Sequence, residues 1–208
     1  MHNDDTLSVL SIGSGEGDID LEIIKSLAPQ ADRPWQQLHY VALEPNPIHR
    51  DRFLDRLHHA SLAHTINVSV REDSFDPHQP LSQEPYDLVL LTHVLYYFDD
   101  PPQAIEHALA HTKPNGRVII VHQAATGIPQ IQREYMLDIK GNEDELLTAD
   151  DIQNLLDRQS WPYQFYPVDA QLDVTSCLVR SDTGIKIRSF CMECDLRQLH
   201  EAKFAKVL

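Results

Sequence analysis

Basic residues are few in this chain of 208: 17 lysines and arginines stand against 32 aspartates and glutamates, a formal net charge of −15. Such a field repels a phosphate backbone, so nucleic acid is not an expected partner, whereas a cationic small molecule is drawn in. Long apolar runs are missing as well. None approaches the roughly 18 residues of a membrane span, and no membrane partner is expected. The opening Met1-His-Asn-Asp-Asp5 has neither the basic nor the apolar region of a secretory signal. Three cysteines make no disulfide framework in a chain of this size. Cys191-x-x-Cys194 lacks a second pair or a nearby histidine couple, and on a helix the two would simply share a face. His58-His59 reads as a solvated helix end, so no metal site is expected. These absences describe a cytoplasmic, enzyme-sized single domain over 1–208.

Glycine is scarce too, with only seven, yet three of them fall at Gly13, Gly15 and Gly17. The apolar run Leu7 to Ile12 leads straight into them, and a helical pattern with Ile19, Leu21, Ile23, Ile24 and Leu27 follows. Strand, glycine turn and helix is the grammar of a nucleotide site, although a plain glycine turn after a buried strand has the same look. Gly13, Ser14, Gly15 and Gly17 are therefore candidate ligand contacts through backbone amides. A P-loop would end in Gly-Lys-Ser/Thr, which is absent. The dinucleotide fingerprint wants its third glycine at position 18, where Asp18 stands. Glu16 and Asp18 repel a diphosphate at the helix N-terminus and suit a ligand with a cationic amino-acid end, such as S-adenosylmethionine.

The rest of the chain alternates. Strands are expected at Leu38–Leu43, Thr65–Val70, Asp87–Thr92 and Arg117–His122, with helices from about Ile48 to Leu57 and from Pro101. Lys113-Pro-Asn-Gly116 reads as a turn into the fifth strand, and residues 77–85 as a loop. This alternation predicts an α/β fold with a doubly wound, mostly parallel sheet. The cofactor half would span about 1–122 and the substrate-side half about 123–208. Beyond strand five, helices are expected at Pro129–Ile139, after a capped start at Thr148 with Asp151, and at Ile185–Leu199. Tyr163–Val168 and Thr175–Val179 read as strands.

In such sheets ligands bind beyond the carboxyl ends of strands, where strand order reverses. Glu44, followed by Pro45, ends strand two and can accept both hydroxyls of a ribose; a solvated loop carboxylate is the plainer alternative. Asp73 and Ser74 follow strand three and could face an adenine, or form an ordinary acidic turn. Thr92, His93, Tyr96 and Tyr97 follow strand four. His93 is either a proton acceptor or a residue packed on the cofactor. Of Tyr96 and Tyr97, one is expected to wall a substrate pocket and the other to be core.

The glycine loop, Ala42-Leu-Glu-Pro45, the Tyr86–Pro101 segment and Lys113-Pro-Asn-Gly116 together resemble class I S-adenosylmethionine-dependent methyltransferases. Leu10 to Leu21, Leu95-Tyr-Tyr97, Leu147 to Leu156 and Leu172 to Cys177 are most similar to the histamine N-methyltransferase group. The resemblance implies a Rossmann-like methyltransferase fold, S-adenosyl-L-methionine as cofactor, and N-methylation of a small amine or imidazole. It places Gly13, Glu44, His49, Ser74 and Thr92 at the cofactor, His49 and Thr92 replacing a Gln and an Ile. His93 falls where the group has a substrate-contacting Gln, and with Tyr97 it is the candidate for catalysis. Alternatives are O- or S-methylation on the same scaffold, or cofactor binding without catalysis.

Two features of that group find no match. Its N-terminal segment supplies a substrate-contacting Glu, while here strand one starts after six residues; its last strand supplies an Asn, while here the sequence stops at Lys206-Val-Leu208. The expectation is a sheet of six strands with the final antiparallel one missing, and hence a homodimer or an open pocket.

Overall fold

The computed structural model describes residues 5–76, 78, 85–140, 146–179, 181–192 and 194–198, without the side chains of 136 and 138–140. Position 77, positions 79–84 of the expected loop, and the segment after Leu199 lie outside the described residues. The chain divides into two compact units, Met1–His122 and Gln123–Leu208.

The first unit is a five-stranded parallel sheet in the order β3-β2-β1-β4-β5. The strands are β1 (Thr6–Ile12), β2 (Gln37–Leu43), β3 (Ile66–Arg71), β4 (Tyr86–Thr92) and β5 (Thr112–Val121). Helices α1 (Asp18–Ser26), α2 (Pro47–His59) and α3 (Pro101–Ala110) connect them. The α/β class and the doubly wound order are those the alternation predicts. β1 lies at the centre, with Val9 opposite Tyr40 on one side and Leu88 on the other. Residues in register share a face of the sheet. Val9, Leu38, Tyr40, Ala42 and Leu90 form one core cluster with Ile24 of α1 and Phe53 of α2. Their chain neighbours Leu10, Val41, Val89 and Leu91 are buried too. A strand apolar on both faces is one sandwiched on both, which is why these runs do not alternate.

The starts of α2 and α3 have a local cause. Asn46 caps α2, its side chain accepting from the Ile48 amide at 3.0 Å, with Pro47 as first residue. Asp100 caps α3 by accepting from the Gln103 amide at 3.1 Å. Lys113-Pro-Asn-Gly116 is part of β5 rather than a turn before it. Its irregularity is absorbed as a register shift, the pairing jumping from Tyr86↔Thr112 to Leu88↔Arg117. A β-carbon on Gly116 would stand 2.7 Å from the Asp87 carbonyl oxygen, so only glycine lets the bulge close on β4.

The sheet has five strands among the described residues, not six. Both stretches expected as further strands are otherwise arranged. Tyr163–Val168 is irregular and Thr175–Leu178 is a 3₁₀ turn. Their β-branched and aromatic side chains fit a pleated surface, but a strand also needs a partner edge, and no described strand pairs with them.

The second unit holds α4 (Ile128–Lys140), α5 (Ala149–Arg158) and α6 (Asp182–Cys191). The expected capping box is formed: the Thr148 amide donates to Asp151 Oδ2 at 2.9 Å. Ser181 caps α6, its hydroxyl oxygen accepting from the Gly184 amide at 3.0 Å. α6 ends at Cys191 rather than near Leu199, and a separate 3₁₀ turn covers Leu196–Gln198. Cys191 and Cys194 therefore do not share a helix face. No described helix is long and apolar enough to cross a membrane, and no described group of three or more His, Cys, Asp or Glu could hold a metal ion.

Candidate functional site

Because all five strands are parallel, their carboxyl ends form one edge, and β1 and β4 flank the point where strand order reverses. At that edge a cleft of about 200 Å³ is lined by Gly13, Ser14, Glu16, Gly17, Asp18, Ile19, Asp20 and Thr92. The glycine loop bends over the end of β2. The Gly13 and Ser14 amides donate to the Leu43 carbonyl at 2.9 and 3.2 Å.

Three glycines here serve three purposes, and all have positive φ: +67° at Gly13, +58° at Gly15 and +77° at Gly17. A β-carbon on Gly13 would meet Val94 Cγ2 at 2.5 Å, and one on Gly17 the Phe53 ring at 2.0 Å. Those two glycines let α2 and the post-β4 segment pack against the loop. At Gly15 a β-carbon would meet nothing within 4 Å. Gly15 thus faces open space, although it is not itself part of the cleft wall. Ser14 Oγ is buried and has no hydrogen-bond partner among the described residues. A cradle open at Gly15 with an unsatisfied hydroxyl beside it fits a polar ligand such as S-adenosylmethionine.

Glu44 is 6 % exposed. Its Oε2 accepts from the Gly15 amide at 2.7 Å and its Oε1 from the Asn46 amide at 2.8 Å. A carboxylate has about four acceptor sites, so capacity for two ribose hydroxyls remains. His49 Nδ1, in the first turn of α2, lies 3.9 Å from Glu44 Oε1. Pro45 is exposed between them. Asp73 and Ser74 are exposed in the segment after β3. Glu44, Pro45, His49, Asp73 and Ser74 stand at the same sheet edge but outside the cleft wall.

Beyond β4 the backbone is held in an uncommon shape. His93 has φ +50°, the left-handed region that a side chain with a β-carbon seldom adopts. Its amide donates to the Val121 carbonyl at 2.9 Å, fixing it to the end of β5. Although part of His93 is open to solvent, burial of the rest pushes its imidazole below the ordinary histidine value of 6.5. Its ring centroid is 5.9 Å from that of His122, which is 5.6 Å from that of Tyr96. Leu95, fully buried, anchors the 3₁₀ turn carrying Tyr96 and Tyr97, whose rings are 4.6 Å apart. Neither tyrosine is core, contrary to the expectation that one would be: Tyr96 is 45 % and Tyr97 77 % exposed. In so short a turn Leu95 takes the one inward position.

The carboxylates of the loop also differ from their sequence reading. Glu16 and Asp18 are neutralised by α2. Arg52 pairs with Glu16, and Arg56 reaches Asp18 at 2.7 Å and Glu16 at 3.5 Å. The hydrogen bond from Arg52, followed by that from Arg56, holds the Glu16 carboxyl below its ordinary value. Sequence reasoning missed Asp20, Ser11 and Tyr40, which form a buried polar group beneath the loop. The signal was available: an acid three residues into a helix, on the sheet-facing side, needs an inward hydroxyl on a neighbouring strand.

The family model described as a methyltransferase domain matches residues 2–169. Histamine N-methyltransferase of Xenopus tropicalis is 25 % identical over 201 residues, covering 92 % of this chain and 68 % of that protein. Carnosine N-methyltransferase 2 of Gallus gallus is 22 % identical over 184 residues, covering 85 % of this chain and 56 % of the other. Among solved structures, a Bacillus halodurans protein inferred to be a methyltransferase superposes with a TM-score of 0.51 at 12 % identity, over 74 % of this chain and 62 % of its own; that likeness is one of fold.

Proposed function

Since the chain belongs to the methyltransferase-domain family, whose cofactor is S-adenosylmethionine, we propose that it methylates a nitrogen of a small amine or imidazole compound. Bound in the cleft, the cofactor supplies an electrophilic methyl group on a sulfonium. In this reading the glycine loop, whose Gly13, Ser14 and Gly15 amides are engaged by Leu43 and Glu44 rather than left for a ligand, shapes the floor of the site; Ser14 Oγ bonds the cofactor, Glu44 accepts its ribose hydroxyls, and Thr92 closes the cleft wall. Asp73 and Ser74 take the adenine side. The unit Met1–His122 carries the cofactor.

The observation that carries the acceptor class is His93. It is fixed beside Thr92 of the cleft wall, next to two exposed tyrosines, and burial favours its neutral form. A protonated amine has no lone pair to attack with. His93 accepts that proton, and Tyr96 and Tyr97 present ring faces that attract a cation as it arrives. The −15 net charge favours the same class of substrate. The relatives named for histamine and carnosine N-methylation support a nitrogen acceptor.

Transfer of labelled methyl from S-adenosylmethionine to a panel of amines, imidazoles, phenols and thiols tests this. Nitrogen acceptors should be labelled. His93→Gln should lower kcat by about a hundredfold or more, in the range for a general base, with cofactor affinity unchanged. The acid limb of kcat should lie below pH 6.5 and vanish in that variant, because only neutral His93 accepts a proton. Labelling of phenols or thiols instead would move the assignment to O- or S-methylation, and no labelling would remove the catalytic role.

A further inference from the structure

Asp20 is 4 % exposed and lines the cleft. It is the third residue of α1, directly behind the glycine loop. The Tyr40 hydroxyl donates to Asp20 Oδ1 at 2.7 Å, and the nearby Ser11 hydroxyl also favours the charged carboxylate. These partners are neutral. Among the described residues no Lys, Arg or His forms an ion pair with Asp20, and the charge that acts on it is Glu44, of the same sign. Burial, with a further push from Glu44, raises its carboxyl above the ordinary 3.8 despite the hydroxyl donors. A buried carboxylate without a cation is costly, and the cost falls when a cation is brought to it.

The other two acids of the cleft wall contrast with it. Glu16 and Asp18 already have Arg52 and Arg56. Of the three carboxylates in that wall, Asp20 alone has no cationic partner among the described residues. Building on the cofactor reading above, we infer that Asp20 receives the α-ammonium of the cofactor's methionine end, oriented for this by Ser11 and Tyr40. The carboxylate has acceptor capacity beyond those donors. Tyr40 of β2 holds Oδ1 from the sheet, and Asp20 lines the cleft, which is the outlet for its remaining lone pairs. This assignment places the amino-acid end beside the first turn of α1 and the ribose end by Glu44, with the open space over Gly15 between them.

The test uses S-adenosylhomocysteine and its des-amino analogue, which lacks only the α-amino group. Calorimetry on the unaltered protein should show the analogue binding at least tenfold more weakly. In Asp20→Asn, S-adenosylhomocysteine should weaken by a similar factor while the analogue is little changed, so that the two ligands bind alike. Tyr40→Phe, which keeps the carboxylate, should retain most of the preference for the ammonium. If the unaltered protein binds both ligands equally, Asp20 does not hold the ammonium, and that result needs no variant to fold. Equal losses on both ligands in Asp20→Asn would make Asp20 a purely structural residue and also overturn the assignment. If neither ligand binds the unaltered protein, the cofactor reading itself falls, a result distinct from the other two.

Discussion

At the scale of single residues, the glycines of the loop separate folding from binding. Gly17 is glycine because Phe53 occupies the place of a side chain. Gly17→Ala should therefore destabilise the protein by about 1–3 kcal/mol through overpacking, with a further ~1–2 kcal/mol from the left-handed backbone. Gly15 carries the backbone strain alone, since its side chain would point into open space. Gly15→Leu should cost about 1–2 kcal/mol of stability and yet reduce cofactor affinity by more than tenfold. Urea unfolding and calorimetric titration of the two variants check this. Undiminished affinity in Gly15→Leu would show that the space over Gly15 is not the cofactor's. Both glycines look alike in sequence. What separates them is Phe53, thirty-six residues after Gly17, and a partner at that range leaves no local signal.

At the scale of elements, three strands are tied together at the edge opposite the cleft. Asp87, at the start of β4, accepts from the Ser8 amide at 2.8 Å and the Ser8 hydroxyl at 2.6 Å on β1, and from Lys113 Nζ at 2.8 Å on β5. Partial burial works against its charge, but the bonds from Lys113 and Ser8 outweigh it and hold the carboxyl below the ordinary 3.8. Its folded value is depressed, so its stabilisation is complete above pH 3.8 and is lost as pH falls through the folded value. In urea titrations from pH 6 downward, Asp87→Asn should be less stable than the parent at pH 6, and the gap should narrow as the parent's Asp87 protonates. A gap independent of pH would show that the clasp is not ionic.

The elements themselves were largely legible. Doubly apolar runs such as Leu7–Ile12 and Asp87–Thr92 mark buried parallel strands, and prolines and acids mark the helix starts. Legibility stopped where structure depends on a partner. Tyr163–Val168 has a strand's composition but no described neighbour to pair with, and Lys113–Gly116 has a turn's composition but is drawn into β5 by Tyr86 and Leu88. In the site, the placement of Gly15 and Glu44 followed from sheet topology. The pairing of Glu16 and Asp18 with α2 arginines, and the burial of Asp20, depended on helix packing that no local pattern encodes.

For the whole molecule, the division at His122/Gln123 has a thermodynamic expression. A ligand that binds the native state alone stabilises what it touches by RT ln(1 + [L]/Kd), about 2.7 kcal/mol at a hundredfold excess over Kd. Scanning calorimetry should accordingly show S-adenosylmethionine raising the transition of the unit Met1–His122. If the unit Gln123–Leu208 melts separately, its transition should stay in place. A shift confined to that second transition would put the cofactor in the wrong unit. The sheet order also imposes a timetable on synthesis. β1 is the central strand and is made before the other four described strands, and its far flank is closed by β4. Eighty residues separate Ile12 from Thr92, which takes about 4–16 s at the usual pace of a ribosome. For that interval the glycine loop has emerged with only one wall of its cleft. The nascent chain thus exposes an apolar strand edge on the side where the finished protein meets its ligand, and completion of the site waits on the last residue of β4.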